Sequence, residues 1–166
     1  RVVDKYPDIL QGLTATFPEL ERIGTPTETA ELARISNDEV AELVGKYPDR
    51  FVAGVANLPL NDMDASLKET DRCIKELKFK GVQLYTNVNG KPLDAPEFLP
   101  LYEKMAAYNL PIFLHPDRDP LPDYPTEDIS KYGLNNVIGW PYETTLAMLR
   151  LVYGGVMEKY PHLKVI

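Results

Sequence analysis

The 166-residue chain is 44% hydrophobic and 26% charged, a composition typical of one globular domain with a packed core. Its net charge of −7 excludes nucleic acids and anionic membranes as main partners, because both require a basic surface. No apolar run approaches the length of a membrane span, and the single cysteine, Cys73, excludes an internal disulfide, so we expect no membrane partner and a cytoplasmic location.

The tripeptide Lys-Tyr-Pro occurs at residues 5–7, 46–48 and 159–161, and an apolar run follows each copy. Proline ends a helix, and the residue before it leaves the α region. Each copy therefore predicts a joint at which a helix gives way to a strand. Cys73 lies in a helical pattern, and we interpret it as a small packing residue.

Strand-like apolar runs alternate with helical patterns along the chain. Lengths of four to seven residues suit strands of a buried sheet. Strands are expected at residues 9–14, 51–57, 81–85, 111–115 and 163–166.

The helical patterns between these runs carry start and stop signals. Residues 25–28, Thr-Pro-Thr-Glu, form a capping box with proline at the first helical position, and Asp62 is the expected N-cap of the next helix. Asn109 is expected to end the helix at 96–108, while the Asn-Asp pair at 37–38 leaves open whether the first helix is continuous. The apolar stripes are Leu32, Ile35, Val40, Leu43, Val44 and Tyr47 in the first helix, Met63, Leu67, Ile74 and Leu77 with the polar Thr70 in the second, Phe98, Leu101, Tyr102 and Met105 in the third, and Leu146, Leu149, Tyr153 and Val156 in a helix over 141–160.

Alternating strands and helices predict a parallel sheet with right-handed crossovers. Two architectures fit this pattern: a doubly wound sheet of about five strands, and a (β/α)8 barrel, which needs about 250 residues. We expect an α/β fold of parallel (β/α) units, roughly half to two-thirds of a TIM barrel. In this interpretation residues 1–166 form a single domain that is an internal section of a longer polypeptide.

A histidine closes the apolar run at 111–115, Pro-Ile-Phe-Leu-His. In parallel α/β sheets, chemistry takes place at the carboxyl ends of the strands, where His115 is expected. His115 is either a metal ligand or a core histidine satisfied by a backbone carbonyl, and spacing alone leaves both interpretations open.

The polar stretch at 117–139 is long for a connection in a compact domain, which indicates a functional loop. Arg118 could pair with a substrate carboxylate, or it could be an ordinary solvated charge like its acidic neighbours. Trp140, where the loop meets the next helix, either lines a pocket wall or anchors the loop. Asn57 and Tyr85, each at the end of a strand, are further candidates for the rim of a substrate site.

Eight stretches in order resemble the amidohydrolase-related family of metal-dependent TIM-barrel enzymes. The resemblance is to the branch with aminocarboxymuconate semialdehyde decarboxylase and the hydroxybenzoate-type decarboxylases. The matching stretches are SNDEVA at 36–41, YPDRFV at 47–52, NLPL at 57–60, KGVQL at 80–84, TNVNG at 86–90, FLHP at 113–116, GWPYETT at 139–145 and GGVMEKYP at 154–161.

The resemblance implies that His115, in the His-Pro at the end of the fifth barrel strand, is a ligand of a divalent metal, most often zinc. It implies that the family's other ligands lie outside this sequence, before Arg1 on strand 1 and beyond Ile166 on strand 8. The family's catalytic histidine would also follow Ile166, so the catalytic residues are unknown here. The second histidine, His162, lies at the opposite end of its strand and is expected on the surface.

The implied function is that of a metal-dependent lyase, in which an unsaturated or aromatic carboxylic acid is decarboxylated without oxidation. The alternative is a metal-dependent hydrolase of a lactone, amide or ester. A non-catalytic binding module also stays open, and in that case His115 would be structural. The family implies a small carboxylic acid or lactone as the partner and a homo-oligomer as the assembly.

Overall fold

A computed structural model describes residues 5–6, 8–15, 18–119 and 121–166. Within them, the strand predicted at 111–115 has its predicted bounds, the other predicted strands are shorter than expected, and a small hairpin is added. The strands are β1 Gln11–Leu13, β2 Phe51–Gly54, β3 Val82–Tyr85, β4 Asn87–Val88, β5 Lys91–Pro92, β6 Pro111–His115 and β7 Lys164–Val165. The helices are α1 Leu20–Ile23, α2 Pro26–Lys46, α3 Met63–Lys75, α4 Leu99–Tyr108, α5 Trp140–Tyr153 and α6 Val156–Lys159.

The long strands are parallel neighbours in the order in which the chain reaches them. β1 pairs with β2, and β3, β6 and β7 form a second ladder. The backbone of Ala56 joins the two ladders, because its N–H donates to Gly81 at 3.0 Å and its carbonyl accepts from Gln83 at 2.8 Å. A doubly wound sheet would reverse this order at its switch point. The described strands therefore follow a barrel wall, and the doubly wound alternative is wrong.

The hairpin β4–β5 directly follows β3 and was not predicted from the sequence. Its turn is Asn89-Gly90, with φ of 50° and 78°. This pair is the preferred sequence of a two-residue hairpin turn. The flanking strands have two residues each, too few to show a periodic pattern, so periodicity could not predict them.

The joints and caps follow the sequence signals. α2 ends at Lys46 and α6 at Lys159, each just before a Tyr-Pro, whereas the first Lys-Tyr-Pro includes Pro7, outside the described residues. Thr25 forms its capping box with Glu28. The side chain of Asp62 accepts a hydrogen bond from the N–H of Ala65 at 3.0 Å. Asn109 ends α4 in the left-handed conformation, as expected.

Helix α2 is continuous through Asn37, because this side chain is turned toward the sheet. Asn37 accepts from the N–H of Asn57 and donates to its carbonyl, both at 2.9 Å. A buried backbone needs such partners, so an amide occupies the inner face where an apolar residue was expected. The predicted stripe is wrong for Leu32, Ile35, Leu43 and Tyr47, which are exposed, while the buried residues of α2 are Thr29, Ala33, Asn37 and Val40.

The last long helix also differs from its prediction. It breaks at Gly154–Gly155, where Gly155 has a φ of 78°. Arg150 pairs with Asp94 at 2.8 Å, and the small residue Ala147, one turn earlier, faces the core. Leu146, Leu149 and Tyr153 are therefore exposed, whereas Ala147, Leu151 and Val156 are buried.

The core lies between the sheet and helices α3 to α5. The predicted inner face of α4, Phe98 with Leu101, Tyr102 and Met105, is fully buried. The predicted face of α3 also packs against this core. Cys73 is buried there, and burial raises the pKa of its thiol, which confirms the packing role. Among the described helices, none combines the length and the apolar character that crossing a bilayer requires.

Candidate functional site

Three of the residues predicted from the sequence meet at one edge of the sheet. His115 ends β6, and its direct neighbour in the parallel ladder is Tyr85, the last residue of β3. Their ring centroids are 5.3 Å apart with the planes at 67°. Trp140 begins α5, and its ring lies 6.3 Å from that of His115. The carboxyl ends of parallel strands share one edge, so two strands and one helix suffice to build this cluster.

The ring of His115 has a defined orientation. Its Nδ1 lies 2.9 Å from the carbonyl oxygen of Pro116, a distance at which Nδ1–H donates to that oxygen. In the neutral form of an imidazole with this bond, the lone pair is on Nε2. Metal-binding histidines are commonly held by such a bond from their other nitrogen. His115 is half-buried at the edge of the sheet, and its role as a metal ligand stays a prediction.

The described part of the chain does not supply a complete metal site. No group of three His, Cys, Asp or Glu side chains among these residues is arranged to hold a metal ion. The donor chemistry and orientation of His115 fit one ligand position. A site of three or four protein ligands would need further residues.

A buried acidic cluster lies beside the rings. Glu19, Glu21 and Asp117 are 4%, 7% and 4% exposed, and Arg22 lies among them. Arg22 donates to Asp117 and to Asp119, each at 2.9 Å. The interpretation of Asp117 as a solvated loop charge is therefore wrong. The sequence carries no local signal for this cluster, because acidic residues in a short polar segment are ordinarily exposed.

Burial changes the ionisation of this cluster. It raises the pKa of Glu21 to about 7, and the neighbouring charges of Glu19 and Asp117 act in the same direction. Burial also raises the pKa of Glu19. The pKa of the Tyr85 hydroxyl rises through burial and through the nearby glutamates, so Tyr85 is a neutral phenol at physiological pH.

Arg118 lines a cleft together with Asn135, Gly139 and Tyr142. It donates to Glu143 at 2.6 Å and to Asn135 at 3.2 Å, and its guanidinium lies over the ring of Tyr142. A Cβ on Gly139 would come within 2.9 Å of the Arg118 side chain, so a larger residue here would require that side chain to shift. Part of the predicted loop is helical, with short helices at Lys131–Gly133 and Asn135–Gly139. The pairing of Arg118 with a substrate carboxylate stays a prediction.

The remaining candidates lie elsewhere. Asn57 is buried, and Asn37 binds both of its backbone polar groups. Its role at a substrate rim stays a prediction. His162 is exposed next to the start of β7, at the edge opposite to His115, as expected.

Residues 4–166 match the amidohydrolase family model. The chain is 36% identical over 144 residues to the 2-amino-3-carboxymuconate-6-semialdehyde decarboxylase of Dictyostelium discoideum, covering 84% of this chain and 38% of that protein. It is 35% identical over 173 residues to a gamma-resorcylate decarboxylase of Polaromonas sp., covering 100% of this chain and 52% of that protein.

Among solved structures, the chain is similar to a dihydroxybenzoic acid decarboxylase from Polaromonas sp. with bound manganese and the inhibitor 2-nitroresorcinol. The TM-score is 0.80 at 31% identity, covering 99% of this chain and 51% of that one. The chain thus spans about half, or less, of the length of these relatives.

Proposed function

The chain belongs to the amidohydrolase family, and we propose that it forms part of a metal-dependent carboxy-lyase acting on a small aromatic or unsaturated carboxylic acid. The observation that carries this proposal is the position of His115 beside the rings of Tyr85 and Trp140 at the carboxyl edge of the sheet. Aromatic rings offer a planar substrate apolar contact with a defined geometry. The similarity to decarboxylases of aromatic acids supports the same substrate class.

His115 would contribute one metal ligand through Nε2. A bound divalent ion supplies Lewis-acid stabilisation of negative charge on substrate oxygens. Zinc is our expectation, because a neutral imidazole is a common zinc ligand, and manganese is the alternative suggested by the Polaromonas structure. The further ligands would be residues other than those described.

The half-buried ring of Trp140 would orient the planar acid and keep water from its reacting face, while Tyr85, which is 2% exposed, would support the site through its contact with the ring of His115. A neutral Tyr85 places no negative charge against a substrate carboxylate, and the raised pKa of Glu21 lowers the negative charge nearby. In decarboxylation the bond from the ring carbon to the carboxylate breaks, carbon dioxide leaves, and the ring carbon takes up a proton. We assign that proton transfer to none of the described residues.

The test is release of carbon dioxide from 2,6-dihydroxybenzoate by the full-length gene product. We expect turnover that stops on chelation and returns when zinc or manganese is added. The variant His115→Ala should have a turnover lower by at least about a hundredfold. Turnover of a lactone or ester panel without release of carbon dioxide would replace the lyase by the hydrolase. Turnover of dihydroxybenzoate that survives complete chelation would contradict the proposed metal dependence.

Two further expectations stay predictions. A homo-oligomeric assembly would give a mass above that of one chain in light scattering. A cytoplasmic location would be seen as recovery of the gene product in the cytoplasmic fraction after cell fractionation.

A further inference from the structure

Thr86 directly follows β3 and binds the main chain on both sides of Pro116. Its N–H donates to the carbonyl of His115 at 3.1 Å. Its hydroxyl accepts from the N–H of Asp117 at 3.0 Å and donates to the carbonyl of the same residue at 3.1 Å. The regular parallel ladder would continue with the N–H of Asp117 donating to the main-chain carbonyl of Thr86, but this N–H donates to the Thr86 hydroxyl. The hydroxyl of Thr86 takes up the next main-chain groups instead.

The hydroxyl of Thr86 and the ring of His115 bind opposite ends of the same peptide group. The carbonyl of Pro116 and the N–H of Asp117 belong to one plane and point in opposite directions. Nδ1 of His115 lies 2.9 Å from this carbonyl, while Thr86 accepts from the N–H. Holding the plane of this peptide therefore holds the acceptor that orients the ring and selects its tautomer.

These bonds lie away from solvent, since Thr86 is 6% exposed and Asp117 is 4% exposed. Loss of the hydroxyl would leave the N–H of Asp117 without its partner in a buried position. The carboxylate of Asp117 is anchored separately, by donors from Asn87 and Arg22 at 2.9 Å each. The main-chain and side-chain anchors of Asp117 can therefore be perturbed independently.

We propose that Thr86 is a positioning residue that keeps the proton of the His115 ring on Nδ1 and the lone pair on Nε2 for a metal ion. This inference rests on the proposed role of His115 as a ligand. Thr86 touches neither metal nor substrate in this scheme, and it acts only through the peptide group between Pro116 and Asp117.

Thr86→Val keeps the shape of the side chain and removes the hydroxyl, whereas Thr86→Ser keeps the hydroxyl. Asp117→Asn is the control for the carboxylate anchor. The first measurement is the tautomer of His115 in the metal-free, full-length gene product, from nitrogen-15 NMR of the ring assigned with His115→Gln. We expect the Nδ1–H tautomer in the parent, in Thr86→Ser and in Asp117→Asn, and a mixture with Nε2–H in Thr86→Val.

The second measurement is the Kd for zinc by competition with a chelator. Thr86→Val should bind zinc about 10- to 100-fold more weakly, the range for lost outer-shell partners, and Thr86→Ser should stay within about threefold of the parent. If Thr86→Val folds and has the same His115 tautomer and the same zinc affinity as the parent, the inference is overturned. If Thr86→Val does not fold, the same two measurements are made on Thr86→Ala. A parent that binds no divalent metal would overturn the proposed function, while the tautomer comparison would still decide whether Thr86 positions the ring.

Discussion

Replacing Glu21 by glutamine is expected to change how stability depends on pH. Glu21 is 7% exposed beside Glu19, Asp117 and Arg22, and its pKa is raised from 4.5 to about 7. The folded state therefore holds a proton that the unfolded state has lost between these two pH values. The stabilisation that this proton gives the folded state is complete below pH 4.5 and is lost as the pH rises to 7. At about 1.4 kcal/mol for each pH unit, the loss is about 3 kcal/mol.

Glutamine has nearly the same shape and no ionisation to lose. The advantage of Glu21→Gln in free energy of unfolding should be about 2 kcal/mol larger at pH 8 than at pH 5. Urea denaturation of parent and variant at both pH values measures this difference. The same change at Glu103, which is exposed on α4, is the control and should give parallel curves. An equal effect of Glu21→Gln at both pH values would refute the assignment of a raised pKa to this carboxyl.

Three substitutions test the packing around the strands. Tyr102→Phe removes a buried hydroxyl that donates to Leu93 at 2.7 Å, and it should lower the free energy of unfolding by about 1–3 kcal/mol in urea denaturation. Gly81→Ala would place a Cβ 2.6 Å from the carbonyl oxygen of Pro111. Its free energy of unfolding should fall by about 1–3 kcal/mol, which lowers the Tm by several degrees. In Gly45→Ala, on α2, the added Cβ meets no atom within 4 Å. This variant should have a slightly higher Tm, because its free energy of unfolding should rise by about 0.5–1 kcal/mol. An unchanged Tm in Gly81→Ala would show that β3 and β6 can separate without cost.

The order and type of the main elements could be predicted because local signals agree with the fold. Thr25 and Asp62 cap their helices through contacts within one turn, and such contacts need no knowledge of distant residues. The strand that ends at His115 is apolar and bounded by proline, so its length and position were readable. The choice between barrel and doubly wound sheet depends on strand order, which periodicity does not encode.

The inner faces of α2 and α5 could not be predicted, because tertiary contacts override the apolar pattern there. Asn37 faces the sheet since the backbone of Asn57 needs its amide, and in α5 the small residue Ala147 is buried while Arg150 on the next turn pairs with Asp94. The apolar residues displaced by these contacts are exposed in the described structure.

Residues of the candidate site could be predicted only where a polar or aromatic side chain follows directly from a strand or helix signal in the sequence. His115 and Tyr85 met this condition, and Trp140 lay at the start of the next helix. Asp117 and Thr86 did not, because their importance lies in hydrogen bonds between segments about 30 residues apart, which have no local signature.

The most direct measurement is the content of divalent metal per chain in the full-length gene product, by elemental analysis. The parent is compared with His115→Ala and with His162→Ala, in which the exposed histidine at the opposite edge is removed. We predict about one ion per chain in the parent and in His162→Ala, and a large loss in His115→Ala, since removal of one ligand of three or four weakens a site severely. A well-folded parent without metal, or equal metal in all three proteins, would contradict the assignment of His115 to a metal site.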